Sequence, residues 1–307
     1  MSVSVIIVTC NSAEYLRACL ESLRSTGAEI IVVDNASTDN SAEVAQRHGA
    51  RVIRNGENRG FAGAANQGAR AAAGNCLLFL NPDTVLLGGF EELARALEEN
   101  PGAGAAAGLL LDPAGRPQVG FNLRALPSFV TLAFEVLLLN RLWPGNPVNR
   151  RYRCLDAPLD RAGETEQPAG ACLAVRRQAL EEVGYWDEAF HPLWFEDVDL
   201  CQRLRRAGFA IRFCPAARWR HYGAHSLVRI SFAQKQVFWY RSLLYYVRKH
   251  EGSAAALVMR MLVCAGATAR MMATLLVPGG ERIWSAYWAV MKAALTGTAN
   301  PTPPRTG

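Results

Sequence analysis

Acidic residues almost vanish from the last quarter of this 307-residue chain: after Ser226 it carries 2 acidic and 10 basic residues, against 25 acidic and 23 basic before it. The formal charge of +6 is therefore a property of the C-terminal region alone. Cysteine pairing is missing as well. The eight cysteines, Cys10, Cys19, Cys76, Cys154, Cys172, Cys201, Cys214 and Cys264, show no C-x-x-C spacing, which is the pattern expected of reduced, buried thiols in a cytosolic protein. H-E-x-x-H is absent, as is any G-x-x-x-x-G-K-[ST] phosphate loop. The turn Thr9-Cys10-Asn11-Ser12 has no glycine to let a dinucleotide's pyrophosphate approach the backbone. These gaps disfavour zinc proteases, P-loop NTPases and dinucleotide dehydrogenases. No charged leader precedes the first apolar run, so no signal peptide is expected.

What is present is a chain half hydrophobic and one-fifth charged, ample for a substantial core. Val3 to Val8 is an apolar, β-branched run, followed by a polar turn and a stretch with Tyr15, Leu16, Cys19, Leu20 and Leu23 at helical spacing. The pattern repeats: strand at Glu29 to Val33, helix at Ser41 to His48, strand at Arg51 to Ile53, helix at Phe61 to Ala73, strand at Cys76 to Leu80. Such alternation predicts a mostly parallel α/β sheet whose ligands sit beyond the carboxyl ends of the strands. Residues 112–168 are rich in Pro and Gly and read as a variable insertion or lid, with one apolar helix expected from Ser128 to Leu142. A strand at Ala171 to Val175, helices at Arg177 to Val183 and Val198 to Ala207, and a strand at Ile211 to Cys214 are expected next. This divides the chain into an α/β catalytic unit over 1–226, a basic helical region over 227–296 and a disordered tail over 297–307.

Polar residues collect at successive strand ends: Thr9 and Asn11; Asp34, Asn35 and Ser37; Asn58, Gly60 and Phe61; Asn81 and Asp83. A carboxylate among amides suits a nucleotide, since Asp34 can accept from a pyrimidine N3–H or a hydroxyl; the plainer reading, helix capping, explains one such turn but not four. Asp83, at the end of an apolar strand, suits a hard divalent cation, although Asn81-Pro82-Asp83-Thr84 is also an ordinary turn composition. A third cluster places Glu196, Asp197 and Asp199 directly after Trp194 and Phe195. Capping and the helix dipole account for part of it. Carboxylates beside two large aromatics also fit a partly apolar pocket, where a raised pKa suits a general base. Asp197 is the stronger candidate, Glu196 is evenly balanced, and Asp199 is expected to pair with an arginine.

Together Val-Ile-Ile-Val-Thr-Cys-Asn-Ser, Val-Val-Asp-Asn-Ala-Ser-Thr-Asp, Asn58-Arg59-Gly60-Phe61, Leu80-Asn81-Pro82-Asp83, Gly170-Ala171 and Phe195-Glu196-Asp197-Val198-Asp199 resemble family 2 glycosyltransferases of the GT-A fold, in the family's order over about residues 3 to 226. The Asn-Pro-Asp and Asn-x-Gly-Phe forms are similar to a bacterial rhamnosyltransferase-like branch that glycosylates lipid-linked or cell-wall acceptors. The resemblance implies Asp34 as base-recognition residue and Thr9 and Asn11 as the nucleotide-contacting turn. Asn35, Ser37, Asn58, Gly60, Phe61, Asn66 and Asn81 complete the implied nucleotide-sugar site. Gly170, Ala171, Trp194 and Glu196 would line the acceptor or donor-sugar pocket, and Asp197 would be the catalytic base of an inverting transfer from dTDP-rhamnose or a UDP-sugar. Asp83, with His221, is implied to hold Mg2+ or Mn2+, and Asn81 stands where the metal motif's first aspartate would be. Two other functions compete. A nucleotidyltransferase would carry a Gly-rich basic loop after the first strand, and a non-catalytic sugar-nucleotide scaffold has no need of both Asp83 and Asp197.

Ser253 to Val277 is a run of 25 mostly apolar residues interrupted by Arg260 and Arg270. It is long enough to span a bilayer, but two arginines make crossing costly. At helical spacing Lys249, Ser253, Arg260, Arg270 and Thr274 fall within an arc of roughly 100°. The expectation is a helix lying on the anionic inner face of the cell membrane, followed by a second with Trp284, Trp288, Met291 and Leu295 on one face; the alternative is packing on the catalytic unit or a homodimer interface. Nucleic-acid binding is disfavoured, because the basic residues are interleaved with aliphatic runs.

Overall fold

The structure is a computed structural model, and it describes residues 1–223, 230–274 and 281–296. The boundary expected at 226, the end of the apolar run beyond Thr274 and the tail from 297 lie outside the described residues. The chain begins with β1 (Val3–Thr9), α1 (Ala13–Leu23), β2 (Glu29–Asn35), α2 (Ser41–Arg47), β3 (Arg51–Asn55), α3 (Gly60–Ala71) and β4 (Cys76–Leu80), as the alternation predicts. Val5 and Ile7 of β1 meet Leu16 and Leu20 of α1 on one face of the sheet, while Ile6, Ile31 and Phe79 meet the alanines of α3 on the other. A Cβ at Gly68 would come within 2.5 Å of Ile6, so α3 lies closer to the sheet than a side chain there allows.

Next come β5 (Thr84–Gly88), α4 (Phe90–Glu99) and β6 (Ala103–Leu111). The β6 sequence, Ala-Gly-Ala-Ala-Ala-Gly-Leu-Leu-Leu, has little strand propensity, and its strand pattern is hidden for that reason. Packing demands the small residues: a Cβ at Gly104 would sit 2.7 Å from Phe209, and one at Gly108 2.6 Å from the Ala217 carbonyl.

The 112–168 segment holds β7 (Leu123–Arg124), α5 (Phe129–Val136), α6 (Leu139–Leu142), α7 (Pro147–Tyr152), β8 (Gly163–Glu164) and β9 (Gln167–Pro168). The single helix expected over 128–142 is broken by Leu138, whose φ of 67° is left-handed. The catalytic unit closes with β10 (Cys172–Arg176), α8 (Arg177–Glu182), α9 (Glu196–Arg206) and β11 (Ala210–His221). β11 is three times the four-residue strand expected, because its register against β6 shifts between Cys214 and Arg218 and so accommodates Pro215. The sheet runs β3-β2-β1-β4-β10-β6-β11-β5, with only β10 and β5 reversed along this path, so it is mostly parallel. All eight cysteines are free, and burial pushes the Cys19 and Cys76 thiols up to about 12.

Three further helices, α10 (Phe232–Glu251), α11 (Ser253–Thr274) and α12 (Glu281–Thr296), share a core with α5 and with Phe190 and Phe195. Here the structure corrects the polar arc. Lys249 lies 2.6 Å from both Asp187 and Asp199, and Arg270 donates to the Val136 carbonyl at 2.5 Å and the Glu135 carbonyl at 3.2 Å. Both cations point into the protein, where Arg270 supplies donors to carbonyls in the last turn of α5. Helical spacing identifies which residues share a face, not which face packs. The outward face of α11 carries Ala254, Leu257, Val258, Met261, Ala265, Ala269 and Met272, with no charge among them.

Candidate active site

Parallel pairing of β1 with β2 sets Thr9 directly beside Asp34 at the carboxyl ends of the two strands. Both residues are buried, and the Thr9 Oγ1 and Asp34 Oδ1 atoms have no hydrogen-bond partner. A buried carboxylate oxygen left unpaired costs about 1–3 kcal/mol or more. A ligand hydroxyl or N–H entering at this strand end would remove that cost.

The neighbouring amides act mainly as braces. Asn11, at φ 55°, accepts from the Thr38 N–H at 2.8 Å and hydroxyl at 2.9 Å, and its own N–H donates to Ser37 Oγ at 2.9 Å. Asn35 donates to Asn58 Oδ1 at 2.9 Å and the Gly60 carbonyl at 3.1 Å. Asn66 donates both amide hydrogens, to the Trp186 carbonyl at 2.9 Å and Glu188 Oε1 at 2.8 Å, and so ties α3 to the segment preceding α9. Gly60, at φ 71°, could carry no side chain: its Cβ would stand 2.8 Å from His191 Nδ1. Phe61 N–H donates to the Pro192 carbonyl at 2.9 Å, and its ring meets Trp186 edge-on at 5.2 Å.

A second pair forms where β11 ends. His221 pairs in register with Thr84, which brings its Nε2 to 3.6 Å from Asp83 Oδ1; both residues are buried. Gln118 Nε2 donates to the His221 carbonyl at 2.9 Å, leaving Gln118 Oε1 to accept from Nδ1 at 3.0 Å. The Nε2 lone pair then faces a carboxylate oxygen. Burial lowers the imidazole's pKa, against the opposing pull of Asp83, and favours this neutral form. Two acceptors facing one another across 3.6 Å fit a cation between them, and a histidine whose other nitrogen is held by an amide carbonyl is the usual second contact of a metal ligand. Among the described residues no third His, Cys, Asp or Glu joins the pair, so the remaining positions on such a cation would fall to phosphate and water oxygens. Asn81 holds the turn through its backbone, donating to the Ala171 carbonyl at 3.0 Å.

The third component is the start of α9. Trp194 and Phe195 have φ of 78° and 69°, two successive strained residues that swing the chain so that the helix begins on Glu196. Asp197 Oδ2 accepts from the Gly170 N–H at 3.1 Å and Gln167 Nε2 at 3.3 Å, while Oδ1 accepts from the Val198 N–H at 2.8 Å. A Cβ on Gly170 would lie 3.0 Å from that of Asp197, so glycine is needed for this approach. Burial raises the Asp197 pKa, opposed by the two backbone N–H groups and the Arg124 charge. Glu196 Oε2 is buried without a partner, and burial, then the Asp197 charge, holds Glu196 well above the usual carboxylate range. Burial thus disfavours the charged form of Glu196 more than that of Asp197, whose oxygens are held by N–H donors. Gly170 contacts Asp197 and Ala171 contacts Asn81, so Asp197 and the Asp83 turn share one wall. Asp199 pairs with Arg203 at 2.7 Å, as expected.

Gln118, Phe121, Arg124 and Gln167 reach this site from the 112–168 segment. Nothing in their local sequence marks them, because only the tertiary path of an irregular segment brings them there.

The chain matches the Glycosyl transferase family 2 profile over residues 4–184 and that of Glycosyl transferase family group 2 over residues 160–297. It is 30% identical over 269 residues to the N-acetylglucosaminyl-diphospho-decaprenol L-rhamnosyltransferase of Mycobacterium tuberculosis, covering 81% of this chain and 85% of that one. Its fold is similar to that of S. aureus TarS 1-349 in complex with UDP-GlcNAc, with TM-score 0.55 and 17% identity over 96% of this chain and 81% of that one. It is likewise similar to GalNAc-T7 with UDP, GalNAc and Mn2+, with TM-score 0.59 and 17% identity over 81% of this chain but only 48% of that one. These structures share the GT-A sheet, at whose strand ends Asp34 and Asp83 stand here, with Asp197 at the start of α9 beside them. The family 2 profile spans more than half of the chain and a rhamnosyltransferase aligns with four-fifths of it, so the chain belongs to glycosyl transferase family 2.

Proposed function

We propose that this glycosyltransferase moves a sugar from a nucleotide-diphospho-sugar, dTDP-rhamnose or a UDP-sugar, to a lipid-linked or cell-surface glycan acceptor in one inverting displacement. The observation that carries the reading is the shared wall: Asp197, held by Gly170, Gln167 and Val198, stands one backbone contact from the Asp83–His221 pair. Asp34 and Thr9 accept the nucleoside. Asp83 and His221 would hold a divalent cation, Mg2+ or Mn2+, which when bound supplies positive charge to the departing diphosphate. Asp197 takes the acceptor hydroxyl's proton on the face opposite the leaving group, and burial of Glu196 disfavours a second negative charge in the pocket. The test is product analysis with dTDP-rhamnose and UDP-sugars on a lipid-diphosphate-linked N-acetylglucosamine. Nucleoside diphosphate release supports transfer, pyrophosphate formation would make the chain a nucleotidyltransferase, and binding without turnover would make it a scaffold.

Asp83→Ala should weaken Mn2+-dependent donor binding far more than it lowers the melting temperature. Titrating donor against wild type and variant with Mn2+ and with chelator reads this directly. His221→Ala should share the phenotype; unchanged metal dependence in that variant would leave His221 a structural residue.

The acceptor assignment extends to the membrane. By length and composition Ser253–Thr274 could cross a bilayer, with mean hydropathy 1.4 and 33% of it buried within the protein. Its inner face packs on α5, α10 and α12, which ties it to the rest of the protein and favours lying against the membrane over crossing it, with the apolar outer face turned to lipid. On α12 the exposed Trp284 and Trp288 stand near Arg282 and Lys292, and the Lys292 ammonium sits 5.5 Å from the Trp288 ring, a pairing suited to the headgroup boundary. Leu257 and Met261 are 60% and 58% exposed. Wild-type protein should therefore pellet with anionic vesicles at low salt, and a Leu257→Gln, Met261→Gln, Trp288→Ser variant should stay in the supernatant. Should wild type ignore vesicles and form a dimer that the variant loses, the face is a homodimer interface.

A further inference from the structure

Arg124 lies half-buried on β7, its guanidinium carbon 5.9 Å from the Phe121 ring centre and 5.7 Å from that of Tyr152. Its Nε donates to the Gly120 carbonyl at 2.9 Å, and the Tyr152 hydroxyl is a further neighbour. Among the described residues no carboxylate stands within ion-pair distance of it, unlike Arg153, which meets Glu135 at 3.0 Å, and Arg203, which meets Asp199 at 2.7 Å. Arg124 is thus a cation fixed by two rings, a carbonyl and the Tyr152 hydroxyl; its charge acts on Asp197 through space, but among the described residues no anion is in contact with it.

Its position says which anion it awaits. Across the β7–β9 ladder Arg124 pairs with Gln167, whose amide touches Asp197. On its other side Phe121, which it overlies, stacks on His221 at 5.3 Å with the rings 10° from parallel, and His221 faces Asp83. The guanidinium is bracketed by the base and by the pair proposed to hold the cation. A planar fork pre-set by aromatic rings recognises phosphate oxygens two at a time, which an ammonium cannot do. We propose that Arg124 is a diphosphate-binding residue of this site, gripping the diphosphate of either the sugar nucleotide or a lipid-diphosphate acceptor between His221 and Asp197. This rests on the transferase reading above and adds a substrate-recognising residue that the strand-end motifs do not include.

The test is binding, so it does not depend on turnover. Calorimetric titrations of wild type and Arg124→Gln with Mn2+ present use UDP and dTDP in one arm, farnesyl diphosphate in the other, and uridine, thymidine and farnesol as uncharged controls. Arg124→Gln should lose at least tenfold in affinity for one diphosphate class and be unchanged toward the controls. Loss on UDP or dTDP assigns the residue to the donor, and loss on farnesyl diphosphate assigns it to the acceptor. If wild type binds a diphosphate and Arg124→Gln binds it equally well, the proposal is overturned while the transferase reading stands; if wild type binds neither class, both fall. Because Arg124 packs between rings, Arg124→Lys is measured beside it. Lysine keeps the stem and charge but not the fork, so it should fold like wild type and still lose several-fold.

Discussion

Asp197→Asn is expected to lower transfer by about 10²–10⁴-fold while donor affinity stays within a few-fold. The carboxylate accepts three donors, from Gly170, Gln167 and Val198, through both oxygens. Asparagine offers one oxygen, so its amide hydrogens must face a backbone N–H at Gly170 or Val198, at a stability cost of about 1–3 kcal/mol. Melting curves taken beside the kinetics separate that loss from the missing base. Glu196→Gln is the counterpart: because burial disfavours the charged form of Glu196, a neutral amide should replace it and transfer should survive. Near-normal turnover in Asp197→Asn with loss in Glu196→Gln would exchange the two roles. The raised Asp197 pKa also moves the acid limb of the rate profile upward from the ordinary aspartate value of about 3.9. For Glu196 the folded pKa lies above the unfolded value of about 4.3, so its share of stability is present below that pH and lost as pH rises through the folded pKa. Glu196→Gln should therefore gain on wild type in melting temperature toward alkaline pH and show no such gain below about pH 4.

The first half of the sheet was legible because β1, β2 and β4 are apolar runs closed by polar turns. β6 was not, because a strand of alanine and glycine carries no propensity signal and is small only to let Phe209 and Trp219 pack on it. The site shows the same division. Asp34, Asp83 and Asp197 stand where strand ends and a helix start advertise them, and Asn11, Asn35 and Asn66, of the same polar character, also brace the loops around them, which their sequence positions do not reveal. Gln118, Arg124 and Gln167 act through tertiary placement, and Lys249 and Arg270 turn inward because Asp199 and the α5 carbonyls await them there.

The largest loss of stability is expected from Asp199→Ala. Asp199 is fully buried and holds Arg203 at 2.7 Å, Lys249 at 2.6 Å and His250 at 2.8 Å. Lys249 is shared with Asp187 at 2.6 Å, and Asp187 also accepts from the Tyr245 hydroxyl at 2.9 Å, so the cluster joins α9 to α10 and to the segment that Asn66 anchors. Removing one member of a buried ion cluster strands the rest; the expected cost is roughly 3–5 kcal/mol. Lys249→Met should cost less, since Asp199 keeps Arg203 and His250. The Asp199 pKa is lowered by His250, Arg203 and Lys249 against the opposing effect of burial. Its stabilisation is therefore present above the unfolded value of about 3.9 and lost as pH falls through the folded pKa. Urea denaturation at neutral pH and in acid should show Asp199→Ala far below wild type at pH 7, with the gap closing in strong acid. Because Asp197 lies two residues before Asp199 on α9, the same variant should lose turnover even at temperatures where it remains folded, with donor affinity less affected. A loss under about 1 kcal/mol at neutral pH would show that Arg203, Lys249 and His250 reach water or other partners once Asp199 is gone and are not stranded.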